Sequence, residues 1–598
     1  MTTVLSNFFG RLPGLSWLTG PIFDKELRVS SRRRRNYVLR FAYLAFLTTF
    51  LVMIWIEVMD HGGSASYRIS RMDKAGKGII AYVVWFQFCA TQIVAVIMLS
   101  NSISDEIYHR TLGLLMTTPI SSFQIVMGKL FSKLLQLTLL LAISLPVLAI
   151  VRVLGGVPWD YVVSSLCITL TTILFVGSLS LFFSIFTRSA YVAIIVSCLT
   201  LGVLFALLPL GLYALWDVTN STISETSILS AIFLPNPYCN LFFSTIMMVE
   251  PRAAAPVPIP SWPLHCGIML AASAVVLSVS VISVRKVALG QAAGQLGVSF
   301  RKRRSGKNAT QAPAGRQNFT ATTRRVTGPP VLWKELRFPI LGRRKVAALI
   351  AIAVTLILLL VTYLLCADEN ALDDEGTHMI YATIFLGIGI LYTLVLPATC
   401  ISSEKESRSW PILLTTILDD REILFGKFVG VLRRCFPAWL FLIGHIVLFS
   451  LVGFIHPIAI IMTAILVMWI TVFLAGTGIY FSSCFKRTTT AVIMNFALAG
   501  LIWVIAPIML GIIGLIKRGS DLGEVYILAN PMVHIIVIML GTVGEAHHGL
   551  QQLSFDWPYG NEGFGFTMRV LLVTMAIHVL VGALFAWRAK RRFRRNIF

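Results

Sequence analysis

Two charged segments, 298 positions apart, hold the residues best placed to do chemistry in this 598-residue chain. The first reads Ile103-Ser104-x-Glu106-x3-Arg110-x4-Leu115-x-Thr117-Thr118 and continues through Ile125 to Gly128-Lys129. The second repeats it as Ile401, Ser402, Glu404, Arg408, Leu413, Thr415, Thr416, Ile423, Gly426 and Lys427. Ten identities in 27 ungapped positions mark an internal repeat. In each copy an acid and a base stand four residues apart, the spacing of a helix-stabilising ion pair. The Thr-Thr pair, followed by Pro119 in the first copy, ends that short helix, and Gly-Lys marks entry into the next apolar run.

A Gly-Lys pair invites a phosphate-binding reading, because a G-x4-G-K-[ST] loop cradles phosphates in its backbone amides. Gly76-Lys77, Gly128-Lys129, Gly306-Lys307 and Gly426-Lys427 all lack both the upstream glycine and the hydroxyl residue that follows. HExxH and GxSxG patterns are missing too. The nine cysteines stand singly with no CxxC, which is neither a disulfide framework nor a zinc site. The chain is therefore not expected to be an enzyme or to bind a cofactor or metal itself.

The elements that position these segments follow from composition. Hydrophobic residues make up 57% and charged residues 13%, with a mean hydropathy of +0.81, against about 25% charged in soluble domains. A surface this apolar faces lipid. Apolar runs at 37–59, 79–100, 130–151, 161–186, 190–214 and 264–284, then 346–366, 379–400, 437–455, 457–482, 490–516 and 567–588, predict about twelve transmembrane helices, six in each half. His456-Pro457 is read as a tight turn between two spans.

Net charge is +23, and its placement matters more than its size. From Arg285 to Lys345 there are fifteen basic residues and one acid, Glu335, whereas the loop with Asp368, Glu369, Asp373, Asp374 and Glu375 has no base. That asymmetry predicts both termini in the cytoplasm of a multi-pass plasma (inner) membrane protein. It also accounts for the basicity without nucleic acid. Residues 287–327 read as a basic cytoplasmic linker between six-span units at 1–286 and 328–598.

Further echoes support duplication. Pro21-x3-Lys25-Glu26-Leu27-Arg28 recurs 309 positions later as Pro330, Lys334, Glu335, Leu336 and Arg337. A weaker echo pairs Leu234-x-Asn236-Pro237 with Leu528-x-Asn530-Pro531. Six spans per unit give both copies the same orientation, a parallel repeat. Each proline is expected to open an amphipathic helix at the inner headgroups, its cations snorkelling to water.

The PxxxKELR segment before span one, together with the E-x3-R-T-L-x2-L-x-T-T-P…GK loop between spans two and three, resembles the permease of type-2 ABC exporters. The resemblance covers nearly the whole chain as two fused units, an all-α polytopic membrane protein. It implies elbow helices at Lys25, Glu26 and Arg28 and at Lys334, Glu335 and Arg337. It implies coupling loops that dock two ABC ATPase subunits, through Glu106, Arg110, Thr117, Thr118, Gly128 and Lys129 and through Glu404, Arg408, Thr415, Thr416, Gly426 and Lys427. ATP and magnesium would sit on those partners, and the outer segments 220–262 and 518–566 would hold short re-entrant helices. The second copy departs from the pattern at Ser409-Trp410-Pro411 and at Ile417, which leaves room for a docking helix of different shape.

Other polar residues inside spans have two readings each. Gln87, Thr91 and Gln92 share a face of span two and either line the export path or bond neighbouring helices. His445 and His578 either relay protons or sit neutral beside a partner, Asn495 is read as a packing amide, and His547-His548 is a conceivable metal contact. Twelve spans in parallel halves also describe an ion-gradient-driven secondary transporter, although its G-x3-D-[RK]-x-G-[RK]-[RK] loop is missing. The acidic outer loop leaves a membrane enzyme acting on lipid-linked sugars as a third reading. The exported substrate is not written in the sequence.

Overall fold

The computed structural model describes residues 15–31, 65–108, 111–115, 117–187, 190–218, 225–249, 261–292, 328–337, 345–368, 372–510, 522–545, 549–558 and 560–594, with single positions between 37 and 52. The first half opens with α1 (Leu15–Ser31), followed by α2 (Ala65–Ser100), α3 (Ser104–Tyr108), α4 (Leu112–Leu115) and α5 (Ser122–Gly155). It continues with α6 (Trp159–Phe186), α7 (Ala190–Gly202), α8 (Leu208–Val218), α9 (Glu225–Phe233), α10 (Pro237–Val249) and α11 (Trp262–Ala292). In the second half come α12 (Pro330–Arg337), α13 (Lys345–Asp368), α14 (Glu375–Thr399), α15 (Ser402–Glu406), α16 (Trp410–Leu414) and α17 (Asp420–Val452). Then follow α18 (Ile458–Cys484), α19 (Thr488–Gly500), α20 (Leu522–Ile527), α21 (Pro531–Leu540), a hairpin β1 (Ser554–Trp557) and β2 (Gly560–Gly563), and α22 (Phe564–Arg592).

Among the described residues ten helices are long and apolar enough to cross a membrane. They fall five to each half, in matching order, and the protein is an all-α polytopic membrane protein. Of the expected first run of each half, 37–59 lies largely outside the described residues, and 346–366 is the apolar 24-residue α13. The His456-Pro457 break is present. Gly453, at φ +97°, ends α17, and His456 caps the next helix through Ile458 N. Ser121 and Gln124 form a reciprocal capping box that starts α5, and Gly156 in left-handed backbone ends it.

The two short apolar pieces expected in the long outer segments are present as helices. Ser227–Phe233 and Pro237–Val249 bend by 108° into a helical hairpin, and α20 and α21 occupy the same place in the chain order of the second half. The halves meet reciprocally: α14 packs on α7, and α19 packs on α2, so the second span of each half lies against the fifth of the other. One continuous apolar core runs through that contact.

Candidate functional site

Each duplicated charged segment follows the second span of its half, and Asp105 of the first lies close enough to Glu406 of the second to act on its charge. After each second span the chain turns sharply, and a buried serine from the fourth span makes the turn possible by accepting two amides at once. Ser184 Oγ accepts from Ile103 N and Ser104 N at 3.0 and 2.9 Å. Ser482 Oγ, 298 positions on, accepts from Ile401 N and Ser402 N at 2.9 and 2.8 Å. Buried backbone groups need such partners, and these two serines fix α3 and α15 against the spans.

The acid of each copy pairs across the loop with the lysine that opens the next span. Glu106 Oε1 lies 3.0 Å from Lys129 Nζ, which also donates to Ser102 O at 2.6 Å. Glu404 Oε1 lies 2.5 Å from Lys427 Nζ. This corrects the expected i, i+4 pair in the second copy. Helix α15 stops at Glu406, and Arg408 sits beyond it, exposed and in left-handed backbone at φ +56°, making no ion pair with Glu404. Arg110 lies outside the described residues.

The Thr-Thr pairs close the short helices α4 and α16. Thr117 and Thr118 donate to Leu114 O and Leu115 O at 2.8 and 2.5 Å, and Thr415 and Thr416 to Ile412 O and Leu413 O at 2.8 and 2.6 Å. Each helix is anchored by one buried side chain at its start, Leu112 in the first copy and Trp410 in the second. Trp410 stacks edge-on against Phe593 at 4.8 Å. The Ser-Trp-Pro departure therefore keeps a short helix and exchanges its anchor. Leu114 and Ile412, again 298 apart, are each 70% exposed on these helices.

The elbow helices pack directly on the third spans. Pro330 is the first residue of α12 as expected, but Pro21 lies inside α1, which starts six residues earlier. A Cβ on Gly426 would stand 2.9 Å from Val331 Cγ1 and 3.0 Å from Leu332 N, and one on Gly430 2.7 Å from Glu335 Cβ. The glycine of Gly426-Lys427 thus serves backbone approach.

That approach buries the elbow acid Glu335, while Lys334 and Arg337 stay exposed. Glu335 pairs with Lys427 at 2.7 Å and with Arg434, while Lys334 Nζ is 3.6 Å from Glu404. Arg337 lies over the Trp333 ring at 4.2 Å. In the first half Glu26 turns to Lys133 at 3.4 Å, and a cleft of about 160 Å³ opens between elbow and loop, lined by Lys25, Glu26, Glu106 and Lys129. Arg28 is exposed on α1.

Two further ties went unforeseen. Lys405, whose pKa is lowered by burial, donates to Ser483 O at the end of α18. The Glu406 carboxylate accepts from Thr488 N at 2.8 Å at the start of α19, and burial raises its pKa despite those bonds. The second charged segment is thereby fastened to spans four and five.

The span residues bond to neighbours. Gln87 Nε2 donates to Tyr43 OH at 2.6 Å, Thr91 to Gln87 O at 2.6 Å, and Gln92 accepts from Tyr238 OH at 3.0 Å, with all three buried. His445 bonds Tyr363 OH at 2.6 Å and lies 3.3 Å from His378. His578 bonds Thr574 O at 2.9 Å, and Asn495 bridges Thr477 and Leu394 O at 2.8 Å each. His547 and His548 lie outside the described residues.

Among family models, the one described as ABC-2 family transporter protein matches residues 21–365, more than half of the chain. No curated protein matched.

Proposed function

The chain belongs to the ABC-2 transporter family, and from that premise we propose that it is the permease of an ATP-driven exporter, with two permease units fused at the 287–327 linker. Family membership makes it a membrane transport component that associates with ABC ATPase subunits. Two such subunits would carry ATP and magnesium, one beneath each coupling helix. The elbow face would lie in the cytoplasm with both termini, at the plasma (inner) membrane, where basic residues meet anionic lipid.

One observation carries the reading. The short helices that hold Leu114 and Ile412 sit at the same position of both halves, each rooted by a buried anchor and each presenting an apolar side chain to water. Exposed apolar groups on a rigid, duplicated mount suit a partner surface. Buried ties at Ser184, Ser482 and Glu406 would let a push on these helices move spans four and five as units.

The test is affinity purification in mild detergent, with the double variant Leu114→Asp and Ile412→Asp beside the parent. A protein with a G-x4-G-K-[ST] loop and an LSGGQ-like signature should accompany the parent and be lost from the variant. If none accompanies the parent, or the variant retains it, the docking assignment fails. Glu106 and Glu404 are poor choices for this purpose because both hold internal lysines.

A further inference from the structure

The third echo of the repeat takes no part in the coupling face, yet both its asparagines make the same two contacts. Asn236 Nδ2 donates to Phe205 O and Asn530 Nδ2 to Trp503 O, each at 2.7 Å. Phe205 and Trp503 are 298 positions apart and lie in five-residue π-helical segments, Val203–Leu207 and Leu501–Ile505, within the fifth span of each half. The Oδ1 of each asparagine accepts the amide two residues on, Tyr238 N and Met532 N, both at 3.0 Å. One side chain therefore caps the second helix of the hairpin and binds the fifth span.

A π turn shifts the hydrogen-bond ladder by one residue, as Leu208 N bonding Val203 O and Ala506 N bonding Leu501 O show. Carbonyls in that stretch lose their regular donor, and lipid offers no replacement. The asparagine amide supplies one. If the segment returned to α-helical register, its carbonyls would regain their own donors and release the asparagine. The arrangement would thus have two discrete registers to switch between, and it stands on the span whose near end is held by Glu406 at Thr488.

We propose that Asn236 and Asn530 are positioning residues of transport, latches that fasten each re-entrant hairpin to the π-helical segment of span five, so that a shift begun at the coupling loop reaches the opposite face. In the second half the contacts run from Glu406 through Thr488 and α19 to Trp503 O, Asn530 and α21, with Tyr526 OH adding a bond to Ile502 O at 3.1 Å. The inference rests on the permease reading for what drives the shift, and on geometry alone for the latch.

Hydrogen–deuterium exchange on the full chain with its co-purified ATPase, in nanodiscs of phosphatidylethanolamine and phosphatidylglycerol, tests it. Asn530→Asp keeps the oxygen that caps Met532 and removes the donor to Trp503 O. Amides of 532–540 should exchange at least tenfold faster, and the ATP-dependent change expected there in the parent should vanish while ATP hydrolysis stays within twofold. A parent-sized ATP response in the variant, or unchanged exchange, overturns the proposal. Asn530→Ser, which caps but cannot reach the carbonyl, carries the same expectation if the aspartate fails to insert. If no ATPase accompanies the parent, the permease reading falls, yet the latch is still decided without nucleotide. Glu406→Gln must then alter hairpin exchange in the parent background and not in Asn530→Asp, and equal responses overturn it.

Discussion

Lys427 Nζ stands 2.7 Å from Glu335 Oε1, joining two side chains that are 5% and 7% exposed and 92 positions apart. The same ammonium holds Glu404 at 2.5 Å, so one cation ties the elbow helix, the coupling segment and the third span together. Its counterpart Lys129 binds the loop acid and the Ser102 carbonyl but leaves the elbow acid to Lys133. The two halves thus share a fold and differ in how firmly the elbow is locked.

Unequal locking gives the first prediction. Lys427→Met removes the cation between buried Glu335 and half-buried Glu404, leaving them to Arg434 and Lys334, and breaking a buried pair from one side costs up to about 3–5 kcal/mol. Lys129→Met strands only Glu106, whose side chain is 25% exposed, and should cost well under half as much. Thermal unfolding of the two variants in detergent should show the larger fall for Lys427. Equal falls would mean that the elbow contact carries no extra stability.

Glycine spacing on the third span supplies a second. Gly430→Ala places a methyl 2.7 Å from Glu335 Cβ, forcing the elbow away at about 1–3 kcal/mol. Gly444→Ala, on the same helix with nothing within 4 Å of its Cβ, should gain up to about 1 kcal/mol from the lost backbone freedom of glycine. Opposite signs on one helix separate packing from propensity. A loss at both positions would refute the close-approach account.

Why these features escaped sequence reading, while the fold did not, is a matter of range. Spans, the His456-Pro457 break and the short outer helices follow from local hydropathy and turn chemistry. The ungapped repeat at an offset of 298 located both charged segments, because charge and glycine there are held by fixed contacts. Partners were another matter. Glu404 and Arg408 look like a pair on a helix wheel, but the helix ends between them, and nothing local announces that Lys427 is nearer. Ser184 and Ser482 do share the 298 offset, so a search of the repeat inside the spans would have found them. The asparagine echo was visible, whereas its role needed the π-helical segments.

Arg408 provides the last prediction, because its backbone and its exposure pull in different directions. An L-residue at φ +56° is strained by roughly 1 kcal/mol relative to glycine, and neighbouring bonds hold it there: Arg408 N to Lys405 O at 3.2 Å and Ser409 N to Glu404 O at 3.0 Å. The twist ends α15 and leaves Arg408 exposed four positions before the exposed Ile412, on the segment where the proposed ATPase would dock. Arg408→Gly should therefore raise the unfolding temperature slightly while weakening ATPase retention on the affinity column. Arg408→Val should lower stability, since a β-branched residue resists that backbone. If the glycine variant gains stability and retains its partner at parent strength, the strain serves only the turn and the arginine has no part in docking.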